Sequence, residues 1–179
     1  TSEVLLLARD GKELAEASVG ESVEVVTAAT PFYGESGGQV GDQGTITAEG
    51  LNLAVTHTIK DPTGLIIHKG TVASGRIAKG QTVTLSVDAD KRKATACNHT
   101  ATHLLHAALR QVLGEHVKQA GSLVASDRLR FDFSHFSQVA PESLERIEAM
   151  VNAGIRANVA VDTVEMAADE ALQSGAMAL

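Results

Sequence analysis

The sequence predicts an α+β fold in two parts: a small closed β-barrel over residues 1–88, then an α+β domain over residues 89–179. Two observations carry this. Up to Val87, short runs of aliphatic and β-branched residues recur between glycines without any helical period. After Val87 the apolar residues fall at helical spacing, and strand-like and helix-like segments alternate to the end.

Each element has its own signal. Val4–Leu7 is a short apolar run, and Glu21–Val26 partly alternates. Leu51–Ile59 alternates Leu, Leu and Val with polar residues, while Gly64–Val72 and Gln81–Val87 are rich in β-branched side chains. Gly20, Gly50, Gly64 and Gly80 bound these runs. Asp88 or Asp90 can cap a helix that continues to Leu113, where Gly114 supplies a stop. Val117–Val124 and Leu129–Phe136 read as a hairpin joined by Ala125-Ser126-Asp127. Its second strand puts Leu129, Phe131 and Phe133 on one face and Arg128, Arg130 and Asp132 on the other. Pro141 suits the first turn of a helix carrying Leu144, Ile147, Val151 and Ile155 at helical spacing. A strand over Val159–Val164 and a short helix over Ala167–Gln173, stopped near Gly175, complete the expectation.

Composition narrows the function classes. Hydrophobic residues make up 44% of the chain, enough for a core, and with 3% aromatics and no Trp that core is aliphatic. No apolar run approaches the length of a membrane span, so no membrane partner is expected. The single cysteine, Cys97, excludes an internal disulfide and fits a reducing, cytoplasmic location. Fifteen basic against 22 acidic residues give a net charge of −7. That sign is wrong for a dedicated nucleic-acid binder, and no DNA partner is expected. For an RNA partner, Lys91, Arg92, Lys93, Lys118, Arg128 and Arg130 are the candidate local attraction; otherwise they form a solvated face.

The chemistry concentrates in His99-Thr100-Ala101-Thr102-His103-Leu104-Leu105-His106. At about 100° per residue His99, Thr102, His103 and His106 form one stripe. Ala101, Leu104, Leu105, Ala108, Leu109 and Val112 form an apolar stripe roughly opposite. Two imidazoles one turn apart can give two nitrogen ligands to a single zinc ion. Cys97 lies about 200° around the helix from His99, on the apolar side, and reads as a small core residue. His106, about −20° from His99 around the helix, reads as a polar residue at the rim of the site, with a metal ligand as the alternative. His57, His68 and His116 read as ordinary exposed or hydrogen-bonded histidines. A metallopeptidase is disfavoured, because Thr100 stands where the general-base Glu of His-Glu-x-x-His would be. The run Gly34-Glu35-Ser36-Gly37-Gly38-Gln39-Val40-Gly41 permits close backbone approach to a phosphate or ribose. It lacks the Lys-Ser/Thr ending of a nucleotide P-loop, and without further context it reads as a turn between strands.

Taken together, Thr30–Asp42 with its Glu-Ser-Gly-Gly-Gln loop, Asn98–Arg110, Gln119–Val124 and Arg130–His135 resemble the editing module of alanyl-tRNA synthetases. The likeness runs in family order to Gly175–Leu179. It implies a barrel similar to one found in translation factors, followed by an α+β catalytic domain. The implied activity is hydrolysis of the ester joining serine or glycine to alanine tRNA, and nothing here resembles the ATP-dependent aminoacylation domain. By resemblance His99 and His103 match two zinc ligands, Thr102 a position lining the amino-acid pocket, and Gln119 a polar position important for editing. Gly37, Gly38, Gln39, Arg128 and Arg130 are the expected contacts to the tRNA acceptor end. A buried hydroxyl and amide suit the task, since a site built to bond a hydroxyl discriminates on it strongly. The zinc could polarise the ester carbonyl, bind the attacking water or orient the terminal ribose. Family members complete the zinc site with a Cys-x-x-x-His beyond the segment matching Gly175–Leu179. The expectation is therefore a piece of a larger synthetase that alone binds zinc weakly and deacylates poorly; a freestanding editing protein and a non-catalytic tRNA-binding fragment are the alternatives. Its expected partners are alanine tRNA and the rest of a synthetase chain.

Overall fold

The computed structural model describes residues 1–162 and 164–174. It is a mixed α+β structure dominated by an antiparallel sheet. Chain contacts divide it into two compact units, Thr1–His99 with Leu123–Leu129, and Thr100–Ser122 with Arg130–Leu179.

In the first unit the strands are β1 (Ser2–Arg9), β2 (Lys12–Glu13), β3 (Glu16–Ser18), β4 (Ser22–Thr27), β5 (Gly44–Ala48), β6 (Leu51–Lys60), β7 (Ile66–Ser74), β8 (Arg76–Ala78) and β9 (Thr82–Val87). Seven form one sheet in the order β2-β1-β4-β7-β6-β5-β9, and β3 pairs separately with β8. Strand β9 also pairs with β1, Ser2 opposite Val83 and Glu3 opposite Thr82. The five runs expected as strands are all strands. The short β2, β3 and β8 and the five-residue β5 were not anticipated.

The first core is aliphatic. Val4, Leu7, Val25, Ile46, Leu53, Val72, Ile77 and Val83 are essentially inaccessible, with Phe32 as the aromatic member. Strand β6 shows how the pleat places polar groups. Leu51, Leu53 and Val55 face inward at period 2. A register irregularity between Val55 and His57 then shifts the alternation, so Thr58 is buried and His57 faces outward.

Helix α1 (Ala89–Leu113) follows. Asp88 is its cap: its Oδ1 accepts the Lys91 backbone N–H at 3.0 Å and its carbonyl accepts that of Arg92 at 3.0 Å. Gly114, at φ +117, ends the helix, and its N–H bonds to the Arg110 carbonyl at 2.9 Å. The division between the two units falls within α1, after His99.

Strands β10 (Gln119–Val124) and β11 (Leu129–Phe133) form the expected hairpin, closed by Ala125 N–H to Arg128 O at 2.9 Å. Helix α2 (Pro141–Ala157) begins on Pro141 and ends with Asn158 in the left-handed region, φ 47. The second core consists of Ala108, Leu109, Val117 and Ile147, with Leu105, Val112, Phe131, Phe133, Met150 and Val151 packed against them. Helix α2 buries only Ile147 fully, while Leu144 and Ile155 stay about half exposed. Helix α3 (Ala168–Gln173) matches the expected short helix, whose stop near Gly175 lies outside the described residues.

Two expectations are corrected. Val159–Asp162 and Val164 form no strand, and Val159, Val161 and Val164 are each about 70% exposed or more. β-Branched residues favour a strand only where a partner supplies ladder bonds and a face to cover. Cys97 is exposed rather than a core residue. It shares the angular position of the apolar stripe, but the side chains packed around that stripe start near Leu104 and Leu105, beyond Cys97.

Candidate functional site

The glycine loop is built by two kinds of glycine. Ser36 and Gln39 exchange backbone hydrogen bonds of 3.2 and 3.0 Å, leaving Gly37 and Gly38 as a two-residue turn at φ +59 and +82. Positive φ at both central positions is the pattern of a type I′ turn, which glycine accepts without strain. Gly34 and Gly41 serve a different need. A Cβ on Gly41 would stand 1.7 Å from the Thr58 carbonyl oxygen, and one on Gly34 2.9 Å from the Lys60 nitrogen. The loop therefore lies directly against β6 where the alternation shifts, held by Glu35 N–H to Thr58 O at 2.9 Å.

The base of the loop is pinned by a buried carboxylate. Asp42 Oδ2 accepts the Tyr33 N–H at 2.6 Å and pairs with the Arg92 guanidinium, whose Nε lies 3.3 Å from Oδ1. Arg92 also donates to the Pro31 carbonyl at 2.6 Å, and Thr58 Oγ1 donates to the Asp42 carbonyl at 2.8 Å. The Asp42 side chain is 8% exposed and Arg92 45%. The hydrogen bond to Asp42 raises the Arg92 pKa above its already high ordinary value. Arg92, one of the six candidate basic residues, is thus a structural counter-ion. Tyr33 closes the loop, its hydroxyl donating to the Ser36 carbonyl at 3.0 Å.

From this frame Gln39 reaches the histidine helix. Its Oε1 lies 2.8 Å from His99 Nδ1, and its backbone neighbours are fixed to β10, Val40 N–H to Val124 O at 3.0 Å and Val124 N–H to Gly38 O at 2.8 Å. Asn98 Nδ2 donates to Ala125 O at 2.8 Å. Gln39, Asn98, His99, Val124 and Ala125 all belong to the first unit.

His103 follows His99 by one turn of α1, and both side chains are exposed. Thr102 and His106, on the same stripe, are buried. His106 is therefore not at a rim: its ring lies 5.1 Å from that of Phe131, and its buried Nε2 has no hydrogen-bond partner among the described residues. Gln119 donates to Ser122 Oγ at 3.2 Å. Arg128 pairs with Asp127 at 3.0 Å and Arg130 makes a two-pronged contact with Asp132, so a carboxylate already faces each exposed guanidinium.

The four remaining histidines have definite partners. His68 is fully buried; its Nδ1 donates to Val25 O at 2.9 Å and its Nε2 accepts from Thr30 Oγ1 at 2.7 Å. Burial pushes its pKa below the ordinary value of 6.5, partly opposed by the Val25 carbonyl. His116 Nε2 and His135 Nδ1 share a 2.9 Å hydrogen bond, and Phe136 stacks on His116 at 4.5 Å. His57 faces Glu35 at 3.2 Å. No sequence signal distinguished these roles, because a histidine reads alike in each setting until its neighbours are known.

Among the described residues no three His, Cys, Asp or Glu side chains are grouped to hold a metal ion. The donor chemistry of the two imidazoles nevertheless suits part of a zinc site. With Nδ1 of His99 donating to an amide oxygen, the lone pair is on Nε2, the arrangement common in metal-ligating histidines. Among the described residues no helix is long and apolar enough to cross a membrane.

Comparison with known proteins places these features in a family context. Residues 1–91 match the family model described as tRNA synthetases class II (A). The whole chain is similar to alanine–tRNA ligases: 61% identical over 176 residues to that of Desulfosudis oleivorans, and 52% identical over 176 residues to those of an Anaeromyxobacter species and Stenotrophomonas maltophilia. Each alignment covers 98% of this chain but 20% of the relative. The chain thus spans about one fifth of the length of the curated relatives it matches.

Proposed function

The chain belongs to the class II (A) tRNA synthetase family, and from that premise we propose that it is the editing part of an alanine–tRNA ligase. In the full protein it would hydrolyse serine or glycine from wrongly charged alanine tRNA. The observation that carries this is the Gln39–His99 hydrogen bond. It joins the glycine loop and the histidine helix, two segments far apart in sequence that each resemble the editing module. The cyclic pairing of β1, β4, β7, β6, β5 and β9 supports reading residues 1–88 as a small translation-factor-like barrel, with residues 89–179 as the editing domain.

The reaction adds water to the ester carbonyl carbon and breaks the bond to the terminal ribose oxygen, releasing the free amino acid and deacylated tRNA. His99 and His103 are the residues that would hold a zinc ion through imidazole nitrogen. Bound there, zinc would supply Lewis-acid and orienting chemistry for the ester, the water or the ribose. Thr102, buried on the same helix, is the candidate for bonding the serine hydroxyl, and Gln119 for a second polar contact. Gly37, Gly38, Gln39, Arg128 and Arg130 are the proposed contacts to the acceptor end of the tRNA. The net charge of −7 means that the rest of the synthetase supplies most of the attraction to RNA. A cytoplasmic location follows from that role.

The test uses the full-length ligase carrying this segment. His99→Ala and Thr102→Val should each reduce Ser-tRNA deacylation at least about tenfold while alanine charging is kept. Undiminished deacylation in both variants would exclude this site. The isolated chain, with two of the usual zinc ligands, should lose the metal on dialysis; stoichiometric retention would refute that part.

A further inference from the structure

Beyond the ligand roles just proposed, one contact assigns work to a residue that serves neither as ligand nor as nucleophile. We propose that Gln39 is a positioning residue that fixes the tautomer and ring orientation of His99. The amide oxygen of Gln39 only accepts hydrogen bonds, so at 2.8 Å it requires the proton on His99 Nδ1 and leaves the lone pair on Nε2.

The fold spends several interactions on holding that oxygen in place. Gln39 ends the tight Gly37-Gly38 turn through its paired bonds with Ser36. On either side of it, Gly38 O and Val40 N–H bond the two backbone groups of Val124. Behind the turn, Gly41 lies against Thr58 at a distance that admits no side chain, and Asp42 is tied to Arg92 on the same helix that carries His99. The backbone around residue 39 is therefore tied to Ser36 and to Val124, and its side-chain oxygen lies 2.8 Å from His99 Nδ1.

The consequence is directional. An imidazole whose Nδ1–H is committed can act only through Nε2, as a metal ligand or as an acceptor from substrate or water. Removing Gln39 takes away the acceptor that holds the proton on Nδ1, and a proton moved to Nε2 withdraws the lone pair from that nitrogen. The inference rests on the reading of His99 as a site residue, and its test is separable from that reading.

Nitrogen-15 NMR of the histidine rings in the 179-residue chain reads the tautomer directly, at about pH 8, above the ordinary imidazole pKa of ~6.5. His99→Gln provides the signal assignment. The expected result is an Nδ1–H tautomer for His99 in the parent chain, lost or mixed in Gln39→Leu and restored in Gln39→Glu, whose carboxylate also accepts. The His103 signal, one turn on, should stay closer to its parent position than that of His99. Zinc titration should show affinity reduced about 10-fold or more in Gln39→Leu and recovered in Gln39→Glu. An unchanged His99 tautomer in Gln39→Leu, with cooperative unfolding intact, would overturn the proposal, as would an Nε2–H tautomer in the parent chain. A tautomer that shifts while zinc affinity does not would uphold the positioning role and remove the metal reading. If Gln39→Leu does not fold, Gln39→Asn, one methylene too short to reach, carries the same comparison.

Discussion

Removing the Arg92 side chain tests whether the loop base depends on one ion pair. The Asp42 carboxylate is 8% exposed and also accepts the Tyr33 N–H, and the Arg92 guanidinium is its counter-charge. At the 3.3 Å Nε–Oδ1 distance and an effective dielectric of about 20, the gross attraction is roughly 5 kcal/mol. Arg92 is 45% exposed, so solvent screening and the cost of drying the pair cut this to about 2–3 kcal/mol net. Arg92→Met keeps much of the apolar stem while removing the charge and the bond to Pro31 O. Urea unfolding should therefore show a loss of about 2–3 kcal/mol, near 1 M in midpoint for a slope of about 2 kcal/mol/M. Asp42→Asn retains an acceptor for Tyr33, and the double variant should cost clearly less than the sum of the singles, a coupling of about 2 kcal/mol. A loss below about 0.5 kcal/mol for Arg92→Met, with additive singles, would refute the argument and leave the pair a surface contact.

Two further outcomes follow from the same unit. Gly41→Ala should cost about 3 kcal/mol or more, because its methyl meets the Thr58 carbonyl at 1.7 Å, whereas Gly37→Ala, in open space at φ +59, should cost about 1 kcal/mol; equal midpoints in denaturation would contradict this. His68 has its folded pKa lowered from 6.5 by burial, so below about pH 6.5 the unfolded state takes up the proton first. Stability is then full above that pH and falls as pH drops toward the folded value; His68→Gln should flatten this slope, and an unchanged slope would remove His68 as its cause.

What the sequence disclosed depended on whether a signal was local. Strands β1, β4, β6, β7 and β9 carry their own aliphatic or β-branched runs, and α1 carries both its cap at Asp88 and its stop at Gly114. Strand β5 has a single apolar core residue, Ile46, and is a strand because β6 and β9 pair with it on either side. Val159–Asp162 and Val164 show the reverse, β-branched residues with no strand partner among the described residues. The histidine stripe was visible as a period, but its division into exposed His99 and His103 and buried Thr102 and His106 depends on what packs beside α1. The Gln39–His99 bond spans sixty positions, and no spacing rule could have indicated it.

Tyr33 gives the glycine loop a spectroscopic consequence. The chain contains one tyrosine and no tryptophan. That phenol donates to Ser36 O while its backbone N–H bonds Asp42. Excited at wavelengths too long for phenylalanine to absorb, this polypeptide thus emits from one place, without a stronger indole to quench or mask it. Unlabelled protein carries its own optical probe beside the turn that holds Gln39, and changes in that turn can be followed in real time by tyrosine intensity and anisotropy alone.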